Sequence, residues 1–375
     1  MKKVVIIQRI LVKYRLPFFT GLKEKLSKEG IDLHLVHGLG NKADYKKELL
    51  ARLEWAHAVK ERYISLGEYS FVFQPYLRFL RDADLVIIPQ EFKYILNYYL
   101  LLKRKFAKFK IAFWGHGLNM QAKPNSLRNL LKRRLNNAAD WWFAYSESVA
   151  EFIEKNGFPR EKITTVQNSI DMTSLFFEVN QISGDELINL KKKIGIDEKA
   201  RVGLFCGGMY KEKRLDFLLE ACYRIKKEIP EFHMIFIGGG PHERIVKKAS
   251  QQNPWIHFMG PVFNREQIMY FKISEVFLMP GLVGLAILDC FSSMTPIITT
   301  QYPFHSPEIE YLQNGVNGLM TKDDIDEFCK TVIMVLRDNN ILKSLKENCL
   351  ISAKKYSMEQ MIENFSLGII KCLEL

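Results

Sequence analysis

Three apolar runs of strand type, each followed by glycines, constrain the fold of this chain more than any other feature. The runs lie in RVGLFCGG, FHMIFIGGG and VFLMPGLVG, between residues 201 and 284. A pattern of helical period follows each of them. Strands that alternate with helices in this way form a parallel sheet, and such sheets bind ligands at the carboxyl ends of their strands.

The glycines after these strands suit a phosphate group. A strand, a Gly-rich turn and a helix start direct several backbone N–H groups at one point, near the positive end of the helix dipole. Gly207 and Gly208 follow the first run, and Gly238-Gly239-Gly240-Pro241 follows the second. The second turn is not a G-x-G-x-x-G fingerprint, so it gives little support to a dinucleotide site. We therefore expect a nucleotide or nucleotide-sugar site in this half of the chain.

Several short motifs occur in order between residues 110 and 320. They are Asn168-Ser169-Ile170-Asp171, Gly207-Gly208-Met209 with Lys213, the frame from Gly281 to Asp289 around Gly284-Leu285, Pro296-Ile297-Ile298-Thr299, and Glu308-Ile309 with Gly315 and Asn317-Gly318. Together they resemble the family 4 retaining glycosyltransferases, also called glycosyl transferases group 1. The resemblance implies an α/β chain of GT-B fold, in which two Rossmann-like doubly wound domains face each other across a cleft.

The chain departs from the family pattern at charged positions. Gly208 stands where the family has an arginine, and Arg214 is a candidate substitute for it. Gly281 stands where the family has the first of two glutamates, and Asp289 replaces the second. These losses leave open a second hypothesis, a non-catalytic sugar-nucleotide-binding or membrane-scaffold protein derived from such an enzyme.

The resemblance also assigns roles to individual residues. Lys213 would neutralise a diphosphate leaving group, Asp289 would accept hydrogen bonds from ribose hydroxyls, and His116 would contact the donor sugar. Taken as structural features, they would be a surface lysine, a buried and paired aspartate, and a structural histidine. The predicted catalytic residues are His116, Lys213 and Asp289. The predicted donor-binding residues are Gly207, Gly208, Arg214, Gly239, Gly240, Gly281, Gly284, Leu285 and Glu308.

The first half of the chain alternates strands and helices in the same manner. The strands are expected in VVIIQ, IDLHLV, DLVIIPQ, KIAFWGHG and WWFAYS, and the helices near 17–29, 91–104, 125–138 and 146–156. His116 follows the fourth of these strands. Tyr14 and Arg15 lie in the loop after the first strand, which faces the acceptor in the resembled fold. Arg15 would pair there with an anionic acceptor or the donor phosphate, or else be a surface arginine before a helix.

These patterns predict two domains. The first, a Rossmann-like domain on the acceptor side, covers residues 1–170, and the second, which binds the donor, covers residues 186–355. The polar stretch from about Asp171 to Glu186 is the predicted linker. The C-terminal helix, at about 356–375, is expected to pack back on the first domain, as it does in the resembled fold.

Basic residues are unevenly distributed along the chain, whose net charge is +12. The stretch from Phe92 to Ala139 contains eleven lysines and arginines and neither Asp nor Glu. Such a patch attracts an anionic partner, and the interleaved aromatic residues favour an anionic membrane surface. The alternative is a set of solvated helix faces with the aromatic rings in the core. No nucleic-acid-binding motif accompanies the charge, so we expect no nucleic-acid partner.

The sequence predicts neither a metal nor a cofactor. The D-x-D string Asp82-Ala83-Asp84 precedes an apolar strand, at the end opposite to the ligand edge, and no His/Cys/Asp/Glu cluster has metal-ligand spacing. The six cysteines form no C-x-x-C pair, and no signal peptide or membrane-spanning run is recognisable. We therefore expect free thiols and a cytoplasmic protein that lies peripherally on the inner face of the membrane.

Together these expectations describe a metal-independent, retaining hexosyltransferase. It would move a sugar from a nucleoside diphosphate, uridine- or guanosine-linked, to a glycan or lipid-linked glycan. Such a reaction belongs to the synthesis of surface polysaccharide or of a lipopolysaccharide-type molecule. N–H groups and lysine would stabilise the departing diphosphate, whose phosphate can take the acceptor proton, and no protein nucleophile would be needed.

Overall fold

The computed structural model describes residues 1–375 except 41–49, 67–68, 92 and 117–136. The chain divides into two compact units. The first consists of Met1–Ile170 and Met358–Leu375, and the second of Asp171–Ser357. Each unit is built on a parallel β-sheet, which confirms the predicted α/β class.

The first unit contains a seven-stranded parallel sheet with helices packed on it. In spatial order its strands are β3 (His57–Val59), β2 (Ile31–Gly38), β1 (Lys2–Ile10), β6 (Leu85–Pro89), β7 (Lys110–Gly115), β8 (Trp141–Ala144) and β9 (Ile163–Thr165). A separate antiparallel hairpin is formed by β4 (Arg62–Leu66) and β5 (Tyr69–Phe73). The helices are α1 (Leu16–Lys28), α2 (Ile95–Lys103), α3 (Glu147–Lys155) and the C-terminal α12 (Met358–Glu374).

The central strands of this sheet have long apolar runs, such as VVII in β1 and LVIIP in β6, and both of their faces are covered. Val4 and Ile6 of β1 belong to a core shared with α1 and α12, and Val5 belongs to the core on the opposite face. In the first core, the rings of Phe18 from α1 and Phe365 from α12 lie 5.3 Å apart. The C-terminal helix is therefore part of the hydrophobic core of the first unit.

The second unit contains a six-stranded parallel sheet. In spatial order its strands are β12 (Ile256–Gly260), β11 (Phe232–Ile237), β10 (Arg201–Cys206), β13 (Val276–Leu278), β14 (Ile297–Thr300) and β15 (Gly318–Thr321). The helices are α4 (Met172–Gln181), α5 (Gly184–Lys193), α6 (Leu215–Glu228), α7 (Glu243–Gln252), α8 (Asn264–Ile273), α9 (Ala286–Ser292), α10 (Ile325–Arg337) and α11 (Asn339–Lys355).

In both sheets the order in which successive strands are added changes direction once. In the second unit the strand order runs outward from β10 to β12 on one side and from β13 to β15 on the other, and in the first unit it runs outward from β1 and from β6. Adjacent loops at such a switch point leave the sheet on opposite faces and open a crevice at the carboxyl ends of the strands. The β10–β13 and β1–β6 junctions are therefore where each unit can bind a ligand.

The predicted linker, from about Asp171 to Glu186, is wrong as a linker: it is largely helical and belongs to the second unit. Its polar residues cap α5. The N–H of Glu186 donates to Oγ of Ser183 (3.2 Å), and the N–H of Ser183 donates to the Glu186 carboxylate (2.9 Å). Arg265 of α8 also donates to Glu186 (2.8 Å). Local polarity here reflects a capping box and an ion pair rather than an exposed connection.

The structure places the other predicted elements as follows. The helices expected near 17–29, 91–104 and 146–156 correspond to α1, α2 and α3. The helix expected near 125–138 falls mostly outside the described residues. The hairpin of β4 and β5 was not expected. Within the described ranges, no helix is both long and apolar enough to span a bilayer.

Substitution of Gly368 in α12 tests how closely the C-terminal helix packs against the sheet of the first unit. A Cβ at Gly368 would lie 2.6 Å from Oγ1 of Thr164 and 2.7 Å from Cε1 of Phe143, whereas a Cβ at Gly184, in α5, meets nothing within 4 Å. Alanine raises helix propensity at both positions, but only G368A forces neighbouring strands apart. We expect urea denaturation to give G368A a free energy of unfolding about 1–3 kcal/mol below that of G184A. Equal values would show that α12 packs loosely.

Candidate active site

Lys213 lies in a short turn just beyond the carboxyl end of β10 and is buried, with 6% of its surface exposed. Its Nζ donates to the backbone oxygen of Leu282 (2.5 Å) and lies 3.4 Å from Sδ of Met279. Burial lowers the pKa of Lys213 to about 8, and no carboxylate of the described chain offsets that effect. The surface-lysine alternative is therefore wrong, and a cation without a counter-charge stands at the β10–β13 junction.

The loop after β13 is locked against the Lys213 turn. The N–H of Leu282 donates to the oxygen of Glu212 (2.8 Å). A Cβ on Gly281 would lie 2.1 Å from that oxygen and 2.9 Å from Cα of Lys213. Only glycine fits this approach, so the glutamate that the resembled family has at this position has no room on this backbone. The same close contact therefore requires glycine at position 281 and fixes the position of the Lys213 backbone.

The turn at Gly284-Leu285 offers two unpaired N–H groups at the start of α9. The carbonyls of both residues accept helical hydrogen bonds from Ile287 (3.2 Å) and Leu288 (2.9 Å). Their own N–H groups have no acceptor anywhere in the described part of the chain. Two such donors side by side can bind an anionic oxygen.

His305 holds this turn in place. The N–H of Val283 donates to its Nδ1 (3.0 Å), so its Nε2 carries the proton and donates to the oxygen of Thr300 (2.9 Å). Burial lowers the pKa of His305, which keeps the ring neutral in this role. Sequence analysis missed this histidine, because its two partners are known only once the loops are placed.

Asp289 lies about one turn into α9 and is partly exposed. Burial raises its pKa to about 7. The thiol of Cys206, at the end of β10, has a pKa raised mainly by burial and further by the charge of Asp289, while Lys213 lowers it. Lys213 and Asp289 therefore both lie close enough to influence Cys206 at this sheet edge. No hydrogen bond to the Asp289 carboxylate comes from the described residues, so the alternative of a paired aspartate is wrong.

The turn at Gly239-Gly240 supports the loop after β10. The N–H of Met209 donates to the oxygen of Gly239 (2.8 Å), and Gly207 and Gly240 both have positive φ, of 150° and 148°. A Cβ at Gly240 would lie 2.6 Å from the oxygen of Met209. The N–H of Gly240 already donates to the Glu243 carboxylate (3.1 Å). This turn thus shapes the Gly207–Met209 loop, and its contact with a donor stays a prediction.

Arg214 does not present a free guanidinium. It has left-handed backbone geometry (φ 55°), forms an ion pair with Asp323, and stacks over the ring of Phe217 at 4.5 Å. Gly208 is exposed, and a Cβ there would lie 2.9 Å from the ring of Tyr210. To replace the arginine that is missing at position 208, Arg214 would first have to break its ion pair with Asp323. The sequence could not reveal this pair, because 109 residues separate the partners.

Glu308 is buried, with 4% exposed, in the turn Pro307–Tyr311 that follows β14. Ser306, two residues before Glu308, donates its N–H to the oxygen of Val283 (3.0 Å). Its Oγ lies 3.4 Å from the Cβ position of Gly284. The loop that carries Glu308 therefore borders the Gly284 turn. The predicted donor-side residues follow four neighbouring strands of the sheet, β11, β10, β13 and β14.

In the first unit, His116 and Tyr14 lie beyond the carboxyl ends of β7 and β1 and are exposed. The ring of His116 stacks on that of Tyr145, with centroids 4.1 Å apart and planes 12° from parallel. Tyr145 in turn stacks on Trp114 at 5.8 Å. His116 is thus an exposed member of a stack of rings at this sheet edge.

Arg15 is buried, with 6% exposed, so the surface-arginine alternative is wrong. Its guanidinium donates to Oδ1 of Asn168 (2.5 Å) and lies 3.5 Å from Sδ of Met361. Four aromatic rings have their centroids 5.2 to 5.9 Å from it: Tyr14, Phe18, Trp114 and Tyr145. Arg15 therefore ties the loop after β1 to the end of β9 and to α12, and its role toward an anionic acceptor stays a prediction.

The described ranges contain no group of three or more His, Cys, Asp or Glu side chains placed to hold a metal ion. Of the D-x-D string, Asp84 accepts hydrogen bonds from the N–H of Lys3 (2.8 Å) and from Nζ of Lys2 (3.0 Å). It lies at the start of β6, opposite to the carboxyl edge of the sheet.

The raised pKa of Asp289 makes stability depend on pH. The native state prefers the neutral carboxyl, so ionisation between the ordinary pKa of 3.8 and about 7 costs native stability. D289N removes this cost. We expect D289N to be more stable than the wild type by about 1–2 kcal/mol at pH 8, where its surface exposure limits the gain, and to lose most of that advantage by pH 5. Thermal unfolding across this range measures it; a pH-independent difference contradicts the assigned burial.

Comparisons with known proteins agree with this geometry. Residues 18–174 match the description "Glycosyltransferase Family 4", and residues 200–338 match "Glycosyl transferases group 1". The alpha-monoglucosyldiacylglycerol synthase of Acholeplasma laidlawii is 27% identical over 189 residues, 49% of this chain and 46% of that protein. The chain thus spans about half the length of that relative. The N-acetyl-alpha-D-glucosaminyl L-malate synthase of Bacillus anthracis is 21% identical over 324 residues, 80% of this chain and 81% of that one.

Solved structures share the fold. Alr3699/HepE of Anabaena, in complex with UDP and glucose, superposes with a TM-score of 0.70 at 14% identity, covering 99% of this chain and 100% of that one. The lipopolysaccharide outer core galactosyltransferase WaaB superposes with a TM-score of 0.66 at 16% identity, covering 98% and 99%. Two matched domains in the expected order, on two Rossmann-like units, lead to one conclusion. The chain belongs to the family 4 glycosyltransferases of group 1 and has the GT-B fold.

Proposed function

We propose that this chain transfers a sugar from a uridine diphosphate donor, with retention at the anomeric carbon, to a hydroxyl of a glycan or lipid-linked glycan. The observation that carries the proposal is the buried, uncompensated Lys213 beside the unpaired N–H groups of Gly284 and Leu285. That combination suits a diphosphate. HepE with UDP-glucose and the glycolipid synthase relatives support the choice of donor and of acceptor class.

In this mechanism the second unit stabilises the leaving group. The bond between the anomeric carbon and the diphosphate oxygen breaks, and charge develops on the phosphate. Lys213, which is buried, and the N–H groups of Gly284 and Leu285 meet that charge. The acceptor oxygen forms the new glycosidic bond, and its proton passes to the leaving phosphate. Asp289 would accept hydrogen bonds from ribose hydroxyls, and the exposed ring of His116 would contact the donor sugar.

The competing hypothesis of a non-catalytic protein rests on the losses at Gly208 and Gly281. The contact with Glu212 and Lys213 gives the glycine at 281 a structural reason, because it lets the lysine turn close on the next loop. The glycine at position 281 therefore does not indicate that catalytic activity has been lost. Turnover of nucleotide sugar separates the two hypotheses, since a binding protein releases no nucleotide.

Lys213 can be tested against a neighbouring lysine. Lys211 belongs to the same short turn but is exposed, whereas Lys213 is buried against the site. A charge-assisted hydrogen bond contributes roughly 1.5–3 kcal/mol. We expect K213A to weaken UDP binding by about 10- to 100-fold with little effect on uridine, and K211A to change neither. Isothermal titration measures both ligands, and equal losses for UDP and uridine would show that Lys213 does not contact the diphosphate.

The same titration tests two further properties. We propose that no metal is needed, because Lys213 and backbone donors already meet the phosphate charge, so UDP affinity should persist in EDTA. Loss of binding restored by Mg²⁺ would contradict this. Lys213 deprotonates as the pH rises through about 8, so UDP affinity should fall above that pH in the wild type and stay flat in K213A. A parallel decline in K213A would assign the titration to another group.

We also propose that the first unit lies peripherally on an anionic membrane at the cytoplasmic face. Leu102 at the end of α2 is 81% exposed and Phe106 shortly beyond it is 86% exposed, and Lys103 lies between them. Apolar side chains flanking a cation suit a membrane interface. Arg104, by contrast, donates to Asp140 (2.5 Å) and is not available to a headgroup. Much of the remaining basic stretch lies outside the described residues.

Two exposed apolar side chains test this membrane contact. We expect L102S/F106S to lower co-sedimentation with phosphatidylglycerol vesicles about tenfold, because less apolar surface enters the interface. The matched control is F177S/I351S, which removes a phenylalanine and an aliphatic side chain of the same size as leucine from the second unit. Each of these residues is 66% exposed. UDP binding should be unaffected in both. Equal losses in the two double variants would contradict a membrane face at α2.

A further inference from the structure

A pocket of about 520 Å³ opens beside the edge strand of the first unit. Val59 ends β3, and Phe73 ends the hairpin strand β5, so the pocket lies between the carboxyl end of β3 and the β4–β5 hairpin. Three cations line it: Lys60, Arg62 and Arg78. None of the residues assigned above to the donor or the sugar belongs to it.

Among the residues that the structure describes, no acidic side chain balances the three cations. All are exposed at the pocket, and in the described chain none forms an ion pair. Arg78 instead lies over the ring of Phe79, at 4.7 Å, and its charge contributes to lowering the pKa of His57, after the larger effect of burial. Three like charges around one concavity repel one another, and an anionic ligand relieves that repulsion.

Glu61, which lies between two of these cations in sequence, does not neutralise them. Its side chain is buried, with 8% of the residue exposed. Its carboxylate oxygens accept hydrogen bonds from the N–H of Leu39 (3.0 Å) and of Gly40 (3.3 Å). A Cβ on Gly38 would lie 1.8 Å from the same carboxylate, so glycine is required to let it reach the loop after β2. The acid is thus used to hold a loop, and the pocket keeps its positive charge.

The rest of the pocket wall is apolar. Val59 is buried behind it, the ring of Phe73 is half-buried, and Pro75 is exposed. We propose that this pocket binds a phosphate group joined to a less polar body, as a phosphate monoester or diester. The proposal rests on the proposed glycosyl transfer in one respect: the ligand is the phosphate-bearing part of the acceptor, held away from the hydroxyl that reacts.

The test compares two double variants of equal charge. R62Q/R78Q removes two pocket cations, and K28Q/R81Q removes two exposed cations elsewhere in the first unit. The probe is sn-glycerol 3-phosphate, with glycerol as the neutral control, followed by isothermal titration. We expect R62Q/R78Q to bind the probe roughly 100-fold more weakly, about tenfold for each lost charge-assisted contact, and K28Q/R81Q to remain within about twofold of the wild type. Glycerol should bind none of the three.

Vesicles distinguish the two sources of the phosphate. Phosphatidic acid in phosphatidylcholine vesicles replaces the soluble probe, and F73A is added to the set. A pocket for a lipid phosphate loses vesicle binding in both R62Q/R78Q and F73A, whereas a pocket for a soluble phosphate ester loses only glycerol 3-phosphate binding in R62Q/R78Q. Either result supports the phosphate pocket. Wild-type protein that binds neither probe, or equal losses in the two double variants, overturns it.

UDP titrations separate this pocket from the donor site. We expect UDP affinity to be unchanged in R62Q/R78Q, because the donor residues lie in the second unit. Loss of UDP binding in K213A with normal glycerol 3-phosphate binding is the expected complement. If the wild type binds glycerol 3-phosphate at the pocket and does not bind UDP, the proposed function fails and the pocket stands.

Discussion

The backbone of Gly281 lies against the peptide of Glu212 and Lys213, and the arrangement of the donor-side edge depends on that contact. The hydrogen bond from Leu282 to Glu212 and the one from Lys213 Nζ to Leu282 join the loops after β10 and β13 at the switch point of the sheet. Any side chain at position 281 would force these loops apart. The loop at Gly284 follows directly, so the N–H donors and the lysine keep a fixed relation to each other.

Among the described residues, Arg15 in the first unit and Lys213 in the second are buried cations with neutral partners, and their environments differ in a way that matters for chemistry. Arg15 is enclosed by four aromatic rings and the oxygen of Asn168, which together satisfy a flat, weakly hydrated guanidinium. In the described chain Nζ of Lys213 contacts a carbonyl oxygen and a thioether and lies over the ring of Tyr210 at 5.5 Å, and burial depresses its pKa. An ammonium so placed gains from an incoming anion. Arg15 therefore contributes to the assembly of the first unit, and Lys213 is the cation for which we propose a role in binding.

The alternation of strands and helices was predictable because the central parallel strands, covered on both faces, contain continuous apolar runs, as in LVIIP for β6. Glycines at 207, 240 and 281 were predictable as turn residues, and each is required by a close approach or a positive φ. The pairing of Arg214 with Asp323 and the burial of Arg15 were not, since both depend on partners far away in sequence. The prediction of a linker failed for the opposite reason. The polar residues Ser183 and Glu186 form a local helix cap, and in the sequence such a cap has the same polar composition as a linker.

The central claim is that backbone donors beside Lys213 bind a diphosphate. Amide NMR of protein labelled with ¹⁵N at glycine and leucine measures this directly, residue by residue. Addition of UDP should move the resonances of Gly284 and Leu285 downfield, as their N–H groups gain acceptors, while uridine leaves both in place. Resonances of Gly284 and Leu285 that stay unchanged in protein saturated with UDP would contradict the account.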